Sequence, residues 1–116
     1  MTKVQFERDK RNHDITYKGI SINIGAGDAD KVSVFKEGNK LYIFSINHGL
    51  GYAGLEIWEI VDWYQGNIAK KVNEVFLQNS QDFEGLQEYF GIKKDFFDLS
   101  DIQQCKILAR YIIETT

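Results

Sequence analysis

The hydrophobic repeat of this chain changes near Asn67, and that change constrains the fold more than any other feature. Before it, apolar residues alternate. Ile15 and Tyr17, then Ile20, Ile22 and Ile24, are separated by Thr16, Ser21 and Asn23, with Gly19 between the two runs. Alternation places one face of a β-strand in a core, and Gly19 marks a strand pair or one bent strand. Val32 and Val34, then Leu41 and Ile43, flank Glu37-Gly38-Asn39, a short glycine-containing connection that predicts a hairpin. Leu41 to Ile46 is apolar on both faces, which suits a central strand. Leu55 to Val61 is a further β-rich run, and Val4 and Phe6 suit a short first strand. Arg8 to Asp14 reads as a polar, turn-like stretch.

After Asn67 the spacing turns helical. Ile68, Val72, Val75, Phe76 and Asn79 trace one face of a helix over 68–79, with Asn67 as its N-cap. Ser80 opens a second helix holding Phe83, Leu86, Tyr89 and Phe90, with Gly91 as its C-terminal stop. Ser100-Asp101-Ile102-Gln103 fits the capping box, in which Ser and Gln side chains satisfy each other's open backbone N–H groups. The third helix then carries Ile102, Cys105, Leu108, Ala109 and Ile112 on one face. Strands followed by helices predict an α+β fold. One antiparallel sheet of four to six strands would be covered by about three helices, near 68–79, 81–90 and 101–114.

The 116 residues suit a single domain spanning 1–116, large enough for a core without disulfides or structural metal. One cysteine forms no internal disulfide, which points to a reducing, cytoplasmic setting. The N-terminus is charged within a few residues, unlike a secretory signal, and no apolar run approaches a membrane span. The net charge of -3 argues against direct nucleic-acid binding, which calls for a basic excess.

Three patterns invite a chemical reading. Gly49-Leu50-Gly51-Tyr52-Ala53-Gly54 is a literal G-x-G-x-x-G, the spacing that brings a pyrophosphate to a helix N-terminus. The residues after it are β-branched and aromatic, so a strand follows, and the glycines read as a β connection. As a possible loop site this leaves His48, Gly49, Gly51 and Tyr52. Asp28 and Asp30 suggest a calcium loop, but the sixth and twelfth positions are Ser33 and Asn39 rather than Gly and Glu. One Cys and two His, at 13 and 48, make no structural zinc set. Cys105, on an apolar helical face, reads as a buried hydrophobe rather than a nucleophile. No catalytic constellation, metal or cofactor is therefore expected, and the chain does not read as an enzyme.

Charge is unevenly spread. Residues 54–101 hold 4 Lys and Arg against 10 Asp and Glu, interleaved with Trp58, Trp63, Tyr64, Phe83, Tyr89, Phe96 and Phe97. Acidic fields steer basic partners, and Trp and Tyr favour interface cores. The densest local cluster is Glu56, Trp58, Glu59, Asp62, Trp63 and Tyr64. Alternation puts Glu56, Trp58 and Ile60 on one side of their strand and Leu55, Ile57 and Glu59 on the other. The expected function is inhibition by direct binding. An immunity or antitoxin-type protein would cover the basic active site of a toxin, such as a nuclease domain. It would follow the general strategy of bacterial toxin–immunity pairs. The alternatives are a phage-encoded inhibitor of a nucleic-acid-binding defence complex, and a small ligand-binding domain or enzyme using the His48–Gly54 loop.

Overall fold

The computed structural model describes residues 1–64 and 66–115. The fold is α+β, with two antiparallel sheets and two C-terminal α-helices among the described residues. The larger sheet has five strands in the order β1 (Thr2–Lys3), β5 (Lys31–Glu37), β6 (Lys40–Asn47), β7 (Tyr52–Trp63) and β8 (Gly66–Leu77). The smaller sheet is the meander β2 (Glu7–Asp9), β3 (Asp14–Tyr17) and β4 (Ile20–Asn23).

The strand run around Gly19 is a two-residue hairpin. Lys18 and Gly19 both take positive φ, 46° and 79°, as a turn that matches strand twist requires. It pairs Ile15 with Ile22 and Tyr17 with Ile20, so these two strands present an apolar face, which Arg8 of β2 joins opposite Ile15. That face packs on Val34, Leu41 and Ile43 of the large sheet, with Trp58 and Ile60 at the margin. The opposite face of the large sheet carries Phe35, Tyr42, Phe44, Leu55 and Ile57, and the helices cover it. β6 is buried from Leu41 to Ile46 because both of its faces meet a layer, as its unbroken apolar run predicts.

The helical layer consists of α1 (Ser80–Phe90), a 3-10 turn at Phe96–Asp98 and α2 (Asp101–Thr115). Asn79, one residue before the expected cap, receives the Asp82 N–H on its side chain at 2.9 Å, and Gly91 closes α1 in the left-handed region. The capping box forms as its spacing predicts. Ser100 N–H donates to Gln103 Oε1 at 3.1 Å, and Gln103 N–H donates to Ser100 Oγ at 3.3 Å. Cys105 is fully buried with Leu108, Ala109 and Ile112, and burial pushes its thiol up to about 12, far from a thiolate at neutral pH. Asp101 joins three elements: its carboxylate accepts from Lys3 Nζ (2.6 Å), Ser33 Oγ (3.0 Å) and the Ile102 N–H (2.8 Å).

The expectation for 68–79 is corrected. These residues form β8, not a helix, and Asn67 lies in a strand opposite Asp62 instead of capping anything. The described strands number eight, not four to six, and they make two sheets instead of one. β8 pairs with β7 along its whole length, interrupted by a bulge beside Ile57 and Trp58 that places an extra residue, Val72, in β8. Among the described residues no helix is long and apolar enough to cross a membrane.

Candidate functional site

β7 and β8 are each 12 residues long, whereas β6 has eight. β6 accompanies β7 only as far as the Lys40–Glu59 pair. Beyond it, Ile60 to Trp63 pair with β8 alone, and the hairpin projects past its neighbours. The Ile60 N–H donates to the Asn39 carbonyl at 2.7 Å, tying the root of this arm to the β5–β6 turn. At the tip, Trp63 is 54% exposed and Tyr64 is 92% exposed. Their rings meet edge to face at 5.1 Å, and Tyr64 takes a φ of 54°. A non-glycine residue in the left-handed region is uncommon, and here it turns the Tyr64 side chain out at the end of the hairpin. Asp62 is exposed on the neighbouring position, and the amide of Asn67, oriented as its surroundings require, donates to Asp62 Oδ1 at 2.6 Å.

The remaining members of the expected cluster lie elsewhere. Glu56 is 1% exposed, buried beneath the 24–30 loop. Its Oε2 accepts the Gly25 N–H at 2.7 Å and its Oε1 accepts the Trp58 indole N–H at 3.0 Å. Glu56 thus fastens the loop after β4 to the face of the large sheet and is removed from surface contact. Trp58 is half-buried against the small sheet, with the Lys71 ammonium 5.9 Å from its ring centroid. Glu59 is half-buried on the other face, opposite Lys70. Phe83, Phe96 and Phe97 form an aromatic group under the helices, so these rings build core. The surface members of the cluster are therefore Asp62, Trp63 and Tyr64.

His48 to Gly51 make the turn between β6 and β7, and Tyr52 to Gly54 already belong to β7. Gly51 takes a φ of 72° and its N–H donates to the Asn47 carbonyl at 2.8 Å, closing the turn. Asn47 holds the turn twice more, through Leu50 N–H to Asn47 Oδ1 (2.9 Å) and Asn47 Nδ2 to the Asp28 carbonyl (2.7 Å). Asp28 and Asp30, distant from this loop in sequence, both meet it. His48 Nδ1 lies 2.9 Å from Asp30 Oδ2, a contact that holds the Asp30 carboxyl below its usual range. The Tyr52 hydroxyl donates to Asp28 Oδ1 at 2.5 Å. Burial first, then the Asp28 carboxylate, push the Tyr52 phenol well above its usual value. Beside these residues opens a cavity of about 360 Å³ lined by Gly25, Ala26, Asp28, Leu50, Tyr52, Phe76 and Gln78. Among the described residues no group of three or more His, Cys, Asp and Glu is placed to hold a metal ion. No family model, curated protein or solved structure matches the chain, so the site is read from its own geometry.

Proposed function

We propose that the protein works by binding another protein, and that the tip of the β7–β8 hairpin is the contact. The observation that carries this reading is the pair Trp63–Tyr64, held ring to ring at the end of an arm that its own neighbours leave uncovered. Exposed Trp and Tyr are the side chains that most often dominate binding energy once a partner's pocket excludes water around them. Trp63 ends a paired twelve-residue strand and Tyr64 follows it directly, which lowers the entropy these two rings lose on binding.

The partner in this reading is a basic protein, and the chain is its inhibitor, of the immunity or antitoxin type. The excess of acidic over basic residues in 54–101 supports it by steering a basic surface toward the protein. The acids exposed on and after α1, namely Asp82, Glu84, Glu88, Asp95 and Asp98, supply most of that field, and Asp62 places one carboxylate beside the inserting rings. Against a nuclease, the arm would occlude the active site while Asp62 occupies a phosphate position.

The test is a titration of the isolated partner with the protein and with a Trp63→Ala/Tyr64→Ala variant. The double variant should weaken binding by about 100-fold or more, since two such truncations at a hot spot each cost about 1–2 kcal/mol or more. Its unfolding midpoint should match that of the parent, because neither ring serves the core. Unchanged affinity would remove the tip from the interface and refute the proposal.

A further inference from the structure

We infer that the cavity beside Tyr52 is a binding site for a small organic cation, an alkylammonium or quaternary ammonium group carrying a short apolar portion. This does not depend on the hairpin tip. The cavity is built where the 24–30 loop crosses the sheet, at the start of β7 and the end of β8. Its floor is the ring of Phe76, which lies directly against Gly54. A Cβ at Gly54 would stand 2.4 Å from Phe76 Cδ1 and Cε1, and one at Gly25 would stand 3.7 Å from Phe76 Cζ. The third glycine of the G-x-G-x-x-G run thus has a definite task, which is to let an aromatic ring lie flat on the strand. Tyr52 lies on the same face of β7 as Gly54, and Leu50 adds an apolar wall.

The mouth carries Asp28. Its Oδ1 takes the Tyr52 hydroxyl, and among the described residues no donor reaches Oδ2, which leaves that oxygen open as an acceptor. The hydroxyl is the donor in this pair, so Asp28 is the fixed negative charge. Around it stand Asp30 and the buried Glu56, whose Oε2 lies 3.3 Å from a Cβ position on Gly25. Two cationic side chains lie nearby: Arg8, whose Nη2 is held by the Ala29 and Gly27 carbonyls (2.7 and 3.3 Å) and keeps its charge, and His48, which faces Asp30. A cavity that joins a carboxylate to two aromatic rings attracts a cation through both the charge and the ring quadrupoles. The three carboxylates of Asp28, Asp30 and Glu56 outweigh the one Arg8 charge and so disfavour phosphate, which the glycine spacing alone would suggest as the ligand. At about 360 Å³ the space sits at the small end of ligand pockets and suits a metabolite-sized amine.

The test is a titration of the full chain, labelled with 15N, using n-butylammonium chloride, n-butanol and sodium butyrate at matched ionic strength. The ammonium should give saturable shifts confined to amides in 25–28, 50–54 and 76–78, with a dissociation constant of order 1 mM. Butanol and butyrate should not. Asp28→Asn should weaken the ammonium response by about tenfold or more, because the charge-assisted contact is gone. Tyr52→Phe, which keeps the carboxylate and the ring, should bind within about threefold of the parent, as a cation–ring contact needs no hydroxyl. Equal shifts from butanol, shifts scattered over the surface, loss of binding in Tyr52→Phe, or an unchanged response in Asp28→Asn would each overturn the inference. So would the absence of any saturable shift.

Discussion

Replacing Glu56 with Gln tests whether the buried carboxylate holds the two sheets together. In the native protein each carboxylate oxygen accepts one N–H, from Gly25 at 2.7 Å and from Trp58 at 3.0 Å. An amide offers one oxygen and one NH2. It can keep one of these bonds and must turn a donor toward the other N–H, which is then left unsatisfied in the interior. A hydrogen bond to a charged acceptor contributes about 1.5–3 kcal/mol, and an orphaned buried donor costs about 1–3 kcal/mol. Losing one bond outright and the charge assistance of the other gives an expected cost of about 3 kcal/mol. For a domain of this size each kcal/mol moves the melting temperature by about 4 °C, so Tm should fall by about 12 °C. Urea unfolding followed by Trp fluorescence measures the loss, with an unchanged slope showing that the native state remains compact. Trp58→Phe and the double variant complete a cycle, and the coupling between 56 and 58 should exceed about 0.5 kcal/mol because the two share a hydrogen bond. Glu59→Gln, on the opposite face, serves as control and should stay within about 0.5 kcal/mol of the parent. If Glu56→Gln is as stable as Glu59→Gln, the carboxylate does not fasten the 24–30 loop and the account of that loop fails.

Two further outcomes follow from local geometry. Gly54→Ala should cost about 1–3 kcal/mol because its Cβ would meet the Phe76 ring at 2.4 Å, whereas Gly49→Ala, whose Cβ finds only Asn47 Oδ1 at 3.5 Å, should be near neutral; thermal melts of the two variants separate these results. The Asp101 carboxyl is held below its usual range, first by Lys3 and then by Ser33, against the opposing effect of burial. A folded value below the unfolded one means that this stabilisation is present above the unfolded value of about 3.9 and is lost as pH falls through the folded value. Asp101→Asn should therefore flatten the acid limb of stability against pH below about 4, and urea midpoints taken across that range would show no flattening if the Lys3–Asp101–Ser33 link contributes nothing.

Most of the layer order follows from local patterns. The apolar run in β6 requires cover on both faces, the Gly38 and Gly19 turns fix two hairpins, and the Ser100–Gln103 box and Gly91 fix helix ends. The error at β8 has a specific cause. In a regular strand Ile68 and Val75, seven residues apart, would point to opposite faces. The bulge at Val72 inserts one residue, so Ile68 and Val75 lie on the same face, opposite Val61 and Leu55. Seven residues is also two helical turns, and a bulged strand therefore imitates the spacing of a helix. Lys70, Lys71 and Glu74 are exposed along β8 because it is an edge strand, which needs charge where a central one does not.

The same strand also decides which members of the cluster Glu56, Trp58, Glu59, Asp62, Trp63 and Tyr64 reach the surface. Alternation correctly places Glu56 and Trp58 on one face of β7, but whether a face is open or covered depends on elements far away in the chain. The small sheet presents Ile15, Tyr17, Ile20, Ile22 and Ile24 on a single face, and these side chains must be buried against something. With the helices already assigned to one side of the large sheet, its other side was the remaining place, and Glu56 lies beneath that layer. The exposure of Trp63 and Tyr64 follows by the opposite route. A strand is covered only as far as its neighbours run, and β7 outruns β6 by the four residues Ile60 to Trp63. Such an overhang needs a second strand to satisfy its backbone, so it exists only if residues after Gly66 are β. Reading them as a helix ends the sheet near Val61 and leaves Trp63 and Tyr64 as an ordinary connection. Reading them as a strand turns the same two residues into the tip of an arm.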